Sequence, residues 1–253
     1  DKKVITREVP IEKSEDQKEL TLNTDQQNAF DKVLESTKTK DSSKLFLLHG
    51  VTGSGKTEVY LRLIEQIIKQ NKNVIYLVPE IYLVPQVYQR LLAKFDPKSI
   101  IVWHSSITQQ DRLSNFERLL NNEIRIILGA RSACLAPIKD LGLIVIDEAH
   151  DSSYKQSSPA PRYDTIQTSI KRAEIEDCPI VLGTATPNIV DYYKCNKNET
   201  ILELPSRIEN IPMPKVHLID LRTDHSKSHR NIISTLLRTS INEVINKKEQ
   251  VIL

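Results

Sequence analysis

Short apolar runs alternate with stretches of helical periodicity along much of the chain. Leu45–Leu48, Val74–Val78, Ile100–Trp103, Ile124–Leu128, Leu141–Ile146 and Ile180–Leu182 read as strands buried on both faces, because apolar residues follow one another without polar alternation. Between them lie helical patterns. One opens at Leu22 and carries Ala29, Phe30, Val33 and Leu34. A second carries Val59, Tyr60, Leu63, Ile64, Ile67 and Ile68 and stops near Asn71. Three more are expected over Glu80–Phe95, with Pro85 in its first turn, over Gln109–Asn121, with Leu113, Phe116, Leu119 and Leu120 on one face, and over Thr165–Ala173. Strand–helix–strand steps this short imply right-handed crossovers, hence an α/β fold with a doubly wound, mostly parallel sheet and helices on both faces. Its site is expected at the carboxyl ends of the strands.

The pattern changes at both ends. Residues 1–19 are dense in charge of both signs and read as a solvated linker or tail, with Pro10 interrupting any continuous helix. The principal domain is expected over residues 20–205. From Ser206 the pattern restarts, with Pro205, Pro212 and Pro214 marking a linker. Lys215–Leu221 is strand-like, a helix is expected over Ile232–Ile245, and Gln250–Leu253 looks like a further strand. Leu236, Leu237, Ile241, Val244 and Ile245 give that helix an apolar face.

Composition narrows the class only a little. Hydrophobic residues make up 39% and charged residues 27%, as in ordinary globular proteins, and a net charge of +2 demands no nucleic-acid partner. The three cysteines, Cys134, Cys178 and Cys195, form no C-x-x-C pair and suggest neither a zinc site nor a disulfide framework. His104 and His150 lack partners at ligand spacing. No run reaches membrane-spanning length and no signal peptide is evident, so a cytoplasmic setting without membrane contact is expected.

Two stretches change the picture. Gly50-Val51-Thr52-Gly53-Ser54-Gly55-Lys56-Thr57 fits the phosphate-loop pattern without a mismatch, between a strand and a helix as that loop requires. Its glycines let backbone N–H groups turn inward, Lys56 is the side chain for the β and γ phosphates, and Thr57 for Mg²⁺. The second stretch, Leu143-Ile144-Val145-Ile146-Asp147-Glu148-Ala149-His150, delivers two carboxylates at the tip of a buried strand. In that place Asp147 suits Mg²⁺ and Glu148 suits activation of a water. Gly183-Thr184-Ala185-Thr186-Pro187 follows another strand, and Thr184 and Thr186 can bond to the acidic pair. Some readings remain open. Asn23 and Gln26 fit a capping box, or Gln26 reads an adenine edge. Arg131 binds a phosphate or caps a local carboxylate. Tyr154 and Tyr163 stack on bases or on each other, with Lys155 and Arg162 serving phosphates.

Together these stretches resemble the first motor lobe of a superfamily 2 helicase with a RecA-like P-loop fold. Val78-Pro79-Glu80-Ile81 with Pro85-Gln86, Gly129-Ala130-Arg131-Ser132-Ala133, and Asp147 through Gln156 further resemble the PriA family of primosomal replication-restart helicases. That likeness runs from about Leu20 to the end of the chain. It implies ATP and Mg²⁺ as cofactors, single-stranded or forked DNA as substrate, 3′-to-5′ motion, and primosome and single-strand-binding proteins as partners, in a bacterial cytoplasm. By position it implies adenine contact at Gln26, phosphate contact at Gly50, Thr52, Gly53, Ser54, Gly55, Lys56 and Thr57, and hydrolysis by Asp147 and Glu148. DNA contact and coupling fall to Pro79–Gln86, Arg131, Ser132, Tyr154, Lys155, Gln156, Arg162, Tyr163, Thr184 and Thr186. Ala149 departs from the family, which has a second glutamate there. The resemblance implies that residues 206–253 are an inter-lobe linker and the truncated start of the second motor lobe, with the rest of that lobe and the family's zinc cluster beyond the chain end, so the chain is expected to bind nucleotide better than it hydrolyses it. The rival readings are another superfamily 2 translocase and a nucleotide-binding scaffold without turnover. The intact carboxylate pair argues against the scaffold.

Overall fold

The computed structural model describes residues 21–39, 44–103, 108–208, 212, 215–221 and 233–253. The charged stretch 1–19, His104-Ser105-Ser106 and Ile232 lie outside them. The chain divides into two units, Asp1–Ile211 and Pro212–Leu253.

The first unit is built on a seven-stranded sheet in the order β3-β4-β2-β5-β6-β1-β7. The strands are β1 (Leu45–Gly50), β2 (Asn73–Leu77), β3 (Ile100–Trp103), β4 (Ile126–Gly129), β5 (Leu141–Ile146), β6 (Ile180–Thr184) and β7 (Ile201–Leu204). Every pairing is parallel. Helices α1 (Thr24–Ser36), α2 (Lys56–Lys69), α3 (Val84–Leu92), α4 (Gln109–Leu120), α5 (Thr165–Ile175) and α6 (Ile189–Lys197) fill the connections.

Side-chain alternation along the strands divides the core in two. Leu143 and Val145 of β5 face one cluster with Val59, Leu63, Ile64 and Ile67 of α2. Ile144 and Ile146 face the other with Ala133, Ile166 and Ala173. Both faces of β5 are buried, which is why its run is uniformly apolar. Each such Leu, Ile or Val contributes about 1.5–3 kcal/mol through burial.

The order of strands matters more for function than their number. β6 lies between β1 and β5, with Leu48 beside Gly183, His49 beside Thr184, and Ile146 beside Leu182. The tips of β1, β6 and β5, distant along the chain, therefore end side by side.

Several local expectations are corrected. Residues 80–95 are not one helix: a 3₁₀ turn, Ile81–Leu83, precedes α3, which begins around Pro85 because proline suits a helix start and not its interior. The strand expected at Ile124–Leu128 is Ile126–Gly129. On α4 only Leu119 is buried, while Leu113, Phe116 and Leu120 are exposed. α6 and β7 are elements that the sequence pattern does not predict.

In the second unit α7 (Thr235–Asn246) is capped by Ser234, whose side chain accepts from Leu237 N at 3.1 Å. Leu236, Leu237 and Ile245 are exposed on it. Residues 215–221 and 250–253 form no strand, since among the described residues no strand pairs with them; Val216, Leu218, Ile252 and Leu253 are exposed.

Candidate nucleotide site

The phosphate loop takes its shape from two glycines in the left-handed region, Gly53 at φ 82° and Gly55 at φ 81°. Gly55 is also the N-cap of α2 and offers no side chain to the first turn. The leading N–H groups of a 14-residue helix are thus left for an anion, with the helix dipole favouring negative charge. Lys56 is almost fully buried, and its Nζ donates to the Gly50 carbonyl at 2.8 Å. After β7 the chain returns across the loop, where Ile208 N donates to Gly53 O at 3.0 Å.

Gln26 joins the first helix to this loop. Its Oε1 accepts from Asn23 N at 3.0 Å and Asn23 Oδ1 accepts from Gln26 N at 2.9 Å, which is the capping box. Its Nε2 donates to Ser54 O at 2.9 Å. One lone pair and one N–H remain on the amide, so an adenine edge stays within its capacity.

At the tip of β5 the environment of Asp147 is unusual. Tyr76 Oη donates to Oδ2 at 3.1 Å, Tyr60 Oη to Oδ1 at 3.4 Å, and the Glu148 N–H to Oδ1 at 3.1 Å. Tyr154 Oη donates to the Asp147 carbonyl at 2.6 Å. Burial pushes the Asp147 carboxyl above its usual range and the Glu148 charge adds to this; Tyr76, the Glu148 N–H and Lys56 pull it back. Burial, followed by the charge of Asp147, raises all three tyrosine hydroxyls well above 10.0, so they remain donors. Sequence reading placed Tyr60 on a buried helix face and missed its partner. A tyrosine in an apolar run is itself the signal, since a buried hydroxyl needs a hydrogen bond.

The same packing corrects the expectation for Tyr154. It is fully buried beneath the end of β5 and stacks on no base. Tyr163 is half-buried, Lys155 and Arg162 are exposed, and Gln156 closes its own loop by donating to Pro159 O at 2.8 Å and Pro161 O at 3.0 Å.

Glu148 adopts a left-handed φ of 47°, an uncommon conformation for a non-glycine residue that turns the chain sharply after Asp147. His150 Nδ1 lies 2.9 Å from Thr184 Oγ1 and 3.5 Å from Glu148 Oε2. Thr186 N donates to Thr184 Oγ1 at 3.0 Å. The β6 tip is therefore wired to the acidic pair. Ser153 Oγ donates to Pro79 O at 2.8 Å, tying the segment after β5 to that after β2.

A cavity of about 370 Å³ is lined by Thr52 through Thr57, Val78, Pro79, Leu83, Gln86, Val87, Arg90, Asp147, Glu148 and Ile208. It brings Lys56, Thr57 and the acidic pair together. Arg131 and Ser132 lie elsewhere, in a 3₁₀ turn after β4, and no side-chain partner holds Arg131 among the described residues. That turn is fixed by Arg172, unremarked in the sequence, whose guanidinium donates to Cys134 O at 2.7 Å and Ala136 O at 2.8 Å. The three cysteines are buried free thiols, and burial pushes Cys134 up to about 11 and Cys178 to about 12.

The sequence profile described as DEAD/DEAH box helicase matches residues 23–194. The chain belongs to this family. It is 42% identical over 235 residues to the Replication restart protein PriA of Bacillus subtilis (strain 168), covering 92% of this chain and 29% of that protein. With the protein of the same name from Synechocystis it shares 39% over 212 residues, 82% of this chain and 25% of that one. The chain thus spans less than a third of these relatives. Among solved structures, RecG bound to a three-way DNA junction superposes with a TM-score of 0.55 at 18% identity, over 74% of this chain and 24% of RecG. The DUF1998 helicase MrfA bound to DNA gives 0.51 at 18%, over 74% and 26%. These likenesses establish the fold: a RecA-like α/β lobe of the kind found in helicase motors. Among the described residues no helix is long and apolar enough to cross a membrane.

Burial of Asp147 has a measurable cost. Its raised carboxyl pKa means that the folded protein holds this proton more tightly than the unfolded chain, so the penalty is present at neutral pH and fades as pH falls through the folded value. Asp147→Asn, without Mg²⁺ or nucleotide, is expected to raise the melting temperature at pH 7.5 by about 2–4 °C, equivalent to about 1 kcal/mol. The gain should shrink toward pH 4. Thermal melts of both proteins at the two pH values check this, and a lower melting temperature for the variant at pH 7.5 contradicts it.

Proposed function

We propose that this chain is the ATP-binding motor lobe of an ATP-dependent 3′-to-5′ DNA helicase acting in replication restart. The observation that carries the reading is the neighbouring arrangement of the β1, β6 and β5 tips, which sets Lys56, Asp147 and Glu148 around one cavity, with Thr184 buried behind it and bonded to His150. In this reading the setting is a bacterial cytoplasm, with primosome and single-strand-binding proteins as partners; the likeness to bacterial replication restart proteins supports it.

In this reading the loop N–H groups from Thr52 to Thr57 and the start of α2 hold the β-phosphate, and Lys56 bridges toward the γ-phosphate. Gln26 offers its remaining N–H and lone pair to adenine. The donor set suits Mg²⁺, a hard cation that takes oxygen ligands: Thr57, which carries a hydroxyl, lines the cavity, and Asp147 has its carboxylate oriented by Tyr76. That ion, when bound, would supply positive charge to offset that of the phosphates. Tyr60 and Tyr76 fix the Asp147 rotamer, so little reorganisation is left for the moment of binding. Glu148, turned away from Asp147 by its left-handed backbone, takes the proton of the attacking water. Through His150 the state of Glu148 is felt at Thr184 and Thr186, on the path to DNA.

DNA runs across Pro79–Gln86, Arg131 and Ser132, with Lys155, Gln156, Arg162 and Tyr163 contributing from the loop after β5. These contacts are mainly to phosphates and so independent of sequence. Tyr154 serves coupling from below by holding the Asp147 main chain. Turnover by this chain alone is expected to be weak, because an arginine supplied from a second lobe is worth about 10³–10⁵ in rate. Strand separation by the full-length protein on partial duplexes tests the assignment. Unwinding from a 3′ single-stranded tail and none from a 5′ tail is expected; the reverse preference overturns the polarity, and no unwinding from either favours a duplex translocase.

A further inference from the structure

We propose that Arg90 binds the γ-phosphate end of a nucleoside triphosphate held in this cavity. The inference rests on reading the cavity as a nucleotide site and adds a residue that no sequence pattern singled out. Leu83, Gln86, Val87 and Arg90 all line the cavity and recur at i, i+3, i+4 and i+7, the single stripe by which the start of α3 and the turn before it face the phosphate loop.

One turn further along the same stripe, Lys94 Nζ bonds to Glu58 Oε1 at 2.6 Å. Glu58 stands in the first turn of α2, immediately after Lys56 and Thr57, so this contact fixes the height of α3 against the phosphate end of α2. Arg62 Nε takes the same Glu58 oxygen at 3.1 Å. Glu58 is thereby already shared, and Arg90, one turn nearer the mouth of the cavity, has no hydrogen bond or ion pair among the described residues. Arg90 is an exposed residue and lines the cavity together with Asp147 and Glu148.

Charge balance explains why a second cation belongs there. The charged side chains lining the cavity are Lys56 and Arg90 on one side of the balance and Asp147 and Glu148 on the other. Lys56 spends one of its donors on the Gly50 carbonyl. Without Arg90 the lining would carry a net negative charge and would have to accept a Mg²⁺-triphosphate that is itself an anion. A planar guanidinium also gives two parallel donors to a terminal phosphoryl group, a geometry that a diphosphate occupying only the loop does not engage.

The test is the binding of a non-hydrolysable ATP analogue and of ADP, each with Mg²⁺, to this chain and to Arg90→Ala and Arg90→Lys, with DNA affinity measured on the same proteins. Arg90→Ala should weaken the triphosphate about tenfold and leave ADP within about twofold, as expected for a charged hydrogen bond to one phosphate. Arg90→Lys should recover part of the loss. Unchanged triphosphate affinity overturns the proposal, and if DNA affinity alone falls, Arg90 is a DNA phosphate contact instead. Equal losses for both nucleotides with a lower melting temperature assign it a packing role and also overturn it. If the unsubstituted chain binds neither nucleotide, the nucleotide-site reading itself fails.

Discussion

Replacing Lys56 with alanine is expected to weaken Mg²⁺-ATP binding by roughly 100-fold or more while leaving the fold in place. Lys56 is the cation that the phosphate loop itself supplies, and in the proposed reading each charge-assisted hydrogen bond it gives to the nucleotide is worth about 1.5–3 kcal/mol, where 1.4 kcal/mol is tenfold in affinity. Two such bonds, to the β and γ phosphates, account for the loss. The fold is spared because, among the described residues, Nζ holds only main-chain carbonyls of the loop, Gly50 O at 2.8 Å and Val51 O at 3.5 Å, and closes no ion pair. Titration calorimetry beside a thermal melt separates the two effects. An unchanged dissociation constant would mean that the loop is not the nucleotide site.

Glu148→Gln in the full-length protein should do the opposite, retaining nucleotide while losing turnover by about 10²–10⁴, the usual contribution of a positioned base. The substitution keeps the size of the side chain and the contact with His150, at 3.5 Å in this structure. It removes the accessible carboxylate at the β5 tip, since Asp147 is held by Tyr60, Tyr76 and the Glu148 N–H. Single-turnover hydrolysis with binding measured in parallel tests this. Undiminished turnover would remove Glu148 from the chemistry and return the chain to the scaffold reading.

These residues were legible in the sequence because phosphate binding and water activation require particular side chains at fixed spacing after a buried strand. The way they meet was not. Local patterns reveal that β1, β5 and β6 are strands, but their neighbours are set by crossovers, and the insertion of β6 between the other two is a tertiary fact. Tyr154 was misread for a related reason. In a polar run it looks like a surface aromatic, yet the 3₁₀ turn Ser152–Tyr154 carries it back under β5, where its hydroxyl meets the Asp147 carbonyl. α6 escaped notice because it buries only Asp191 and Cys195, which leaves no apolar stripe to detect. Residues 215–221 show the reverse error, a strand-like composition with no partner strand to complete its hydrogen bonds. Arg90 and Arg172 carried no pattern, and their significance rests on what α3 and α5 pack against.

The most direct test of the central claim is steady-state ATP hydrolysis by this chain, with and without forked DNA, against Lys56→Ala as the blank, together with ATP binding. Measurable ATP binding with turnover close to the blank is expected, because in the proposed reading the arginine that completes the site comes from a second lobe. DNA-stimulated turnover well above the blank would contradict it, and would mean that the chain or a pair of its copies assembles the whole catalytic site.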